Sequence, residues 1–61
     1  MMLTIRIELD NAAFDDGGGT AEVERLLADL AERIPDPLVR TSAPINLHDI
    51  NGNWCGEARI R

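Results

Sequence analysis

Asp49, Asn51 and Asn53 stand at the alternate positions with which a calcium-binding loop opens, because oxygen ligands two residues apart can wrap a hard cation. The loop is not completed. Trp54 occupies the place that requires glycine and Ile60 the place of the bidentate glutamate, so turn-forming side chains account for the same letters and no metal site is expected. His48 and Cys55 would face each other across a hairpin, and a thiol beside an imidazole is the pairing that activates a cysteine nucleophile. No third group to orient the imidazole and no oxyanion donor can be named, so no catalytic residue and no enzymatic activity are expected. Gly17, Gly18 and Gly19 precede a helix whose free amides would attract a phosphate. Asp15, Asp16, Glu22 and Glu24 surround those amides with negative charge and no Lys-Ser/Thr pair follows, so phosphate binding, and with it a nucleotide cofactor, is not expected.

What remains is the charge itself. The chain carries 11 acids against 6 bases, all of them arginine, for a formal charge of −5. From Glu8 to Glu24 there are six acids (Glu8, Asp10, Asp15, Asp16, Glu22 and Glu24) and no base, whereas the other five acids are interspersed with the five arginines that follow Arg6. Direct attraction to nucleic acid or to an anionic membrane is not expected from this balance. A run of acids is usually only a solvated face. It can also imitate a phosphate backbone before a basic groove on another protein, where complementary fields speed encounter and reject wrong partners.

The elements that must position these groups follow from periodicity. Thr20 to Ile34 places Val23, Leu26, Leu27, Leu30 and Ile34 on one helical stripe, with Glu22, Arg25, Asp29 and Glu32 opposite. Thr20 is the expected N-cap, and Pro35 stops the helix. Leu3, Ile5, Ile7 and Leu9 alternate with Thr4, Arg6, Glu8 and Asp10, the period of a strand with one buried face. Between them Asn11 to Gly19 breaks the pattern; Phe14 is expected to drop back onto the core, and the three glycines to form a flexible connection. Beyond the helix, Pro35-Asp36-Pro37 turns the chain, Leu38 to Ser42 can extend, and Asn51-Gly52 between two alternating segments predicts a hairpin closed by a two-residue type I′ turn. In that register Ile45, Leu47, Trp54, Ala58 and Ile60 share the core face, and Asn46, His48, Asn53, Cys55, Glu57 and Arg59 the polar one.

The expected fold is α+β, a single domain over 1–61 in which one amphipathic helix packs on a three-stranded, mostly antiparallel sheet in the order β-α-β-β, with the far sheet face left open. A core this small makes for marginal stability. A lone Cys55 forms no intramolecular disulfide, and one cysteine with one histidine is too few for a structural zinc. A reducing, cytoplasmic setting is expected, with no signal peptide or membrane span visible.

LTIRIELDNAAF near the start and DINGNWCGEARI near the end, 24 of 61 residues, resemble small acidic proteins encoded by phages and other mobile elements of proteobacteria. In size and charge the chain is similar to anti-CRISPR proteins, among them the type I-C inhibitors. The resemblance implies a DNA mimic that inhibits by protein-protein interaction: a non-enzymatic, monomeric protein that binds a subunit of a host CRISPR surveillance complex, with Asp10, Asp15, Asp16, Glu22 and Glu24 as partner-binding residues. The alternative is a small structural or regulatory protein acting through its exposed sheet face or by self-association.

Overall fold

The computed structural model describes residues 1–61, the side chain of Asp16 excepted. Strand β1 (Leu3–Ile7) leads through a 3-10 turn (Ala12–Phe14) into helix α1 (Thr20–Arg33), and strands β2 (Ile45–His48) and β3 (Trp54–Ile60) follow as a hairpin. The sheet is wholly antiparallel in the order β1-β3-β2, so the last strand lies in the middle. This is the α+β arrangement that the alternation and the helical stripe predict. No helix among the described residues is long and apolar enough to cross a membrane.

Leu26 and Leu30 of α1 pack on Leu47, Cys55 and Ala58, with Phe14 closing the core from the loop as expected. The stripe is rotated from the predicted one. Its buried row runs Glu22, Leu26, Leu30, four residues apart on one helical face, while Val23 and Ile34 are half-buried and Leu27 is exposed. The rotation has two causes. The helix packs on the β2 side of the sheet, leaving Leu3 and Ile5 of β1 48% and 41% exposed, and Glu22 finds partners inward that a leucine could not use.

Two turns depart from their sequence expectations. The three glycines are not a loose tether: Gly17, Gly18 and Gly19 have φ of 62°, 80° and 82°, a left-handed run that side chains disfavour. Gly19, not Thr20, is therefore the helix N-cap, in a left-handed conformation, and Thr20 lies inside the helix. At the hairpin, Asp49 N–H donates to the Asn53 carbonyl at 2.8 Å and Gly52 N–H donates to the Asp49 carbonyl at 2.9 Å, so the loop is Ile50-Asn51-Gly52. Only Gly52 has positive φ there (84°), which makes it a type I turn followed by a left-handed glycine and not the two-residue type I′ turn.

The longer loop shifts the pairing only beside the turn. Ile45 pairs with Ala58 and Leu47 with Gly56 as predicted, but His48 pairs with Trp54. Cys55 is the extra residue of a β-bulge. The bulge reverses the two predicted orientations: Cys55 turns into the core at 0% exposure, and Trp54 turns out, 40% exposed, with its indole N–H donating to Asn46 Oδ1 at 3.0 Å. At the far end of β3, Thr41 N–H donates to the Ile60 carbonyl at 2.9 Å and Ile60 N–H donates to Thr41 Oγ1 at 3.2 Å, tying the segment after the helix to the sheet.

Candidate functional site

Two buried carboxylates assemble the end of the molecule at which the hairpin turns. Asp49, 4% exposed, accepts Asn51 N–H and Asn53 N–H on Oδ1 at 2.9 and 3.0 Å, and the Asn11 side-chain amide on Oδ2 at 3.0 Å. The loop after β1 is thereby fastened to the hairpin. Desolvation pushes the Asp49 carboxyl up, but those three donors outweigh it and hold it below its ordinary value. Glu22, 8% exposed, fastens the helix to the same turn: its Oε2 accepts Ile50 N–H at 2.8 Å, and Arg25 donates to Oε1 from Nε at 2.8 Å and to Oε2 from Nη2 at 3.0 Å. Arg25 Nη2 also donates to the His48 carbonyl at 3.2 Å. The Arg25 hydrogen bonds hold the Glu22 carboxyl low against its partial desolvation, aided by Ile50 N–H.

These contacts account for the turn residues and revise two other sequence readings. The acceptor positions of Asp49 are aimed at the amides of its own turn and at Asn11, so the alternation of Asp49, Asn51 and Asn53 builds a turn. His48 and Cys55 are not a pair: His48 is exposed, whereas the Cys55 thiol points under the helix and donates to the Leu47 carbonyl at 3.6 Å. Burial pushes that thiol above its ordinary pKa of 9.0, the opposite of activation. Glu22, expected on the wet face as a partner-binding group, is instead spent internally, because its place in the i, i+4 row with Leu26 points it at the hairpin.

The remaining acids of the base-free segment differ from Glu22. Asp10, Asp15 and Glu24 are exposed, and none belongs to the ion pairs among the described residues, which join Arg25 to Glu22, Arg33 to Asp29 and Arg59 to Glu57. Asp16 has its side chain outside the described residues. The Asn11–Asp49 and Glu22–Ile50 hydrogen bonds draw the loop and the helix N-terminus, the segments that carry Asp10, Asp15 and Glu24, to the hairpin turn. Arg25, the base of the same region, already has its guanidinium turned to Glu22 and His48. Between the loop and the helix lies a groove of about 310 Å³ lined by Leu9, Phe14, Gly18, Gly19, Thr20 and Val23.

The open sheet face has the contrary charge. A depression of about 380 Å³ is lined there by Met2, Thr4, Arg6, Glu57, Arg59 and Arg61, with Arg59 Nε donating to Glu57 Oε2 at 2.7 Å. The Arg59 hydrogen bond, and then the nearby charges of Arg59, Arg6 and Arg61, hold the Glu57 carboxyl low. Three arginines against one acid make this face locally basic.

Neither the nucleophile nor the cation site that the letters suggest is assembled; an acidic, apolar-lined end and a basic sheet face are. In comparisons with family models, curated proteins and solved structures, nothing matches this chain.

Proposed function

We propose that the chain is a non-enzymatic inhibitor, an anti-CRISPR protein of phage or mobile-element origin, whose acidic end imitates DNA to a basic, DNA-accepting surface of a host surveillance complex. The class of partner comes from the resemblance of the two terminal segments; the manner of binding rests on one observation. Asp10, Asp15 and Glu24 are exposed and outside the ion pairs of the described residues, on segments fastened to the hairpin turn, while Glu22, Asp29 and Glu57 are each tied to an arginine. Exposed charge left without a partner is free to answer the field of a cationic surface, and such association weakens as salt rises.

Reversing Asp10, Asp15 and Glu24 together to arginine, with Glu22 left in place to keep the turn intact, tests this. With a purified type I-C surveillance complex, the parent protein is expected to displace duplex DNA and the triple variant to need about tenfold more protein or greater for the same displacement. Equal displacement by the two proteins rejects the reading.

A second reading is favoured by the uncovered sheet face, where Arg6, Arg59 and Arg61 line an open depression: an interaction protein engaging an anionic partner, or a second copy, through that face. Arg6→Glu with Arg61→Glu separates the readings, since it abolishes partner binding under the second and leaves DNA displacement unchanged under the first.

A further inference from the structure

We propose that two copies of this chain pair through the free edge of β1, antiparallel and centred on Ile7, so that their sheets join into one of six strands. The pairing uses the strand edge and neither the acidic loop nor the open sheet face, so it is independent of both docking modes proposed for those surfaces. The edge is available. Met2 N–H donates to the Arg61 carbonyl at 2.7 Å, Arg61 N–H to the Met2 carbonyl at 3.0 Å and Glu8 N–H to the Cys55 carbonyl at 2.7 Å, so the even-numbered residues of this stretch face β3. By the alternation of an antiparallel ladder, the backbone N–H and C=O groups of Leu3, Ile5 and Ile7 point outward, away from the sheet. None of them enters a turn or loop hydrogen bond among the described residues. β1 also lacks the proline or bulge that blunts an exposed edge, whereas at the opposite edge the His48 carbonyl of β2 is already taken by Arg25.

The sequence of the edge fixes the occupant as a second copy of the same strand. Ile5-Arg6-Ile7-Glu8-Leu9 reads apolar, positive, apolar, negative, apolar. Turned about a two-fold axis at Ile7, it sets Ile5 against Leu9 of the second copy, Ile7 against its own copy, and Arg6 against Glu8 twice over by symmetry. Arg6 and Glu8 are exposed and belong to none of the ion pairs among the described residues. Their charges would meet at a non-hydrogen-bonded position, where side chains on adjacent strands come closest. Neighbouring registers lose this match: centring on Arg6 or on Glu8 sets like charge on like, and centring on Ile5 leaves Arg6 against Thr4 and Glu8 against Met2. The apolar face gains as well. Ile5, left 41% exposed by the placement of the helix over β2, and Leu9, 56% exposed, would cover each other across the axis. A foreign strand would need this alternation in reverse; the second copy has it by construction.

Sedimentation equilibrium of the parent protein from about 10 µM to about 1 mM, the range of small and weak interfaces, is expected to show a monomer-dimer equilibrium. Arg6→Glu and Glu8→Arg, both at exposed positions, each set like charges opposite one another and are expected to weaken the dimer about tenfold or more. An equimolar mixture of the two variants restores both attractive pairs and is expected to associate as the parent does. Amide exchange supplies a readout that needs no variant: Ile5 and Ile7 should gain protection as the parent is concentrated, while Thr4, Arg6 and Glu8 are protected throughout.

A parent protein that stays monomeric to about 1 mM overturns the proposal. So does a dimer that survives both single variants, a mixture of folded variants no more associated than its components, or a dimer in which Ile5 and Ile7 exchange as they do in dilute protein. If either variant fails to fold, the amide measurement on the parent decides alone.

Discussion

Glu22 does for this molecule what an apolar residue at the same helical position could not. Its carboxylate gives the Ile50 amide an acceptor and holds Arg25 against the His48 carbonyl, so one side chain locks the helix, the turn and the end of β2 together. The consequence is written in pH. Glu22, Asp49 and Glu57 all have carboxyls held below their ordinary values, so in acid the unfolded chain binds more protons than the native one. Their stabilisation is complete above the ordinary carboxylate values of 4.5 and 3.8 and is lost as pH falls through the lower native ones. Cys55 has the opposite sign: its pKa is raised above 9.0, so its contribution is complete below that value and fades as pH climbs through the native one. Thermal unfolding followed by circular dichroism should therefore show a plateau at neutral pH with an acid limb and a shallower alkaline one. Glu22→Gln keeps an acceptor but removes the charge. It is expected to be less stable than the parent at neutral pH, the gap narrowing toward about pH 3; a gap that does not change across that range would mean the charge of Glu22 contributes nothing.

At the level of elements, β3 bears the tightest constraint, where β1 crosses close to Gly56. A Cβ at Gly56 would lie 2.1 Å from the Arg6 carbonyl oxygen and 2.9 Å from the Ile7 Cα, both backbone of the neighbouring strand. Neither can move without breaking the ladder. Gly56→Ala is expected to destabilise the fold by about 3 kcal/mol, at the upper end of overpacking costs, which denaturant unfolding would register as a lower midpoint with little change in slope. Gly18→Ala, where space is open and only the positive φ resists, should cost about 1 kcal/mol. The contrast between the two shows which parts of the fold were legible in the sequence. The period-2 run of β1, the helix from Thr20 and the pairing of Ile45 with Ala58 rest on periodicity, a signal spread over many residues, and all three stand in the structure. The hairpin loop and the bulge at Cys55 each depend on one residue more or less in a loop, a count that composition does not encode, and the inward turn of Glu22 depends on which side of the sheet the helix packs. Asn51-Gly52 reads equally well as a two-residue turn or as the end of a three-residue one. The choice is made by Asp49, whose side chain prefers the amides of Asn51 and Asn53. The candidate site was legible as a run of acids in the chain, but the separation of Glu22, an internal clamp, from the exposed acids of that run required knowing which way the helix faces.

For the whole molecule the decisive quantity is where uncompensated charge sits along a body of 35 × 18 × 16 Å. The long axis exceeds several Debye lengths at physiological salt, so charges at the two ends barely sense each other, and each end must balance locally. The hairpin end does not: the segments that carry the exposed Asp10, Asp15 and Glu24 are fastened there, and Arg25 is turned to Glu22. At the other end, Arg59 at least is matched by Glu57 and Arg33 by Asp29. Like charges held close repel and tax the native state, a cost tolerated where the charges serve binding. Asp10→Asn, Asp15→Asn and Glu24→Gln combined should accordingly raise the melting temperature by about 2–5 °C in low salt, and the gain should shrink as added salt screens the parent's repulsion. Single neutralisations should each give about two thirds of the combined effect, because three charges form three repulsive pairs and removing one charge leaves a single pair. A triple variant no more stable than the parent at low ionic strength would mean that the three carboxylates stand too far apart to feel one another. They would then also stand too far apart to present the concerted negative surface on which the proposed recognition of a basic partner depends.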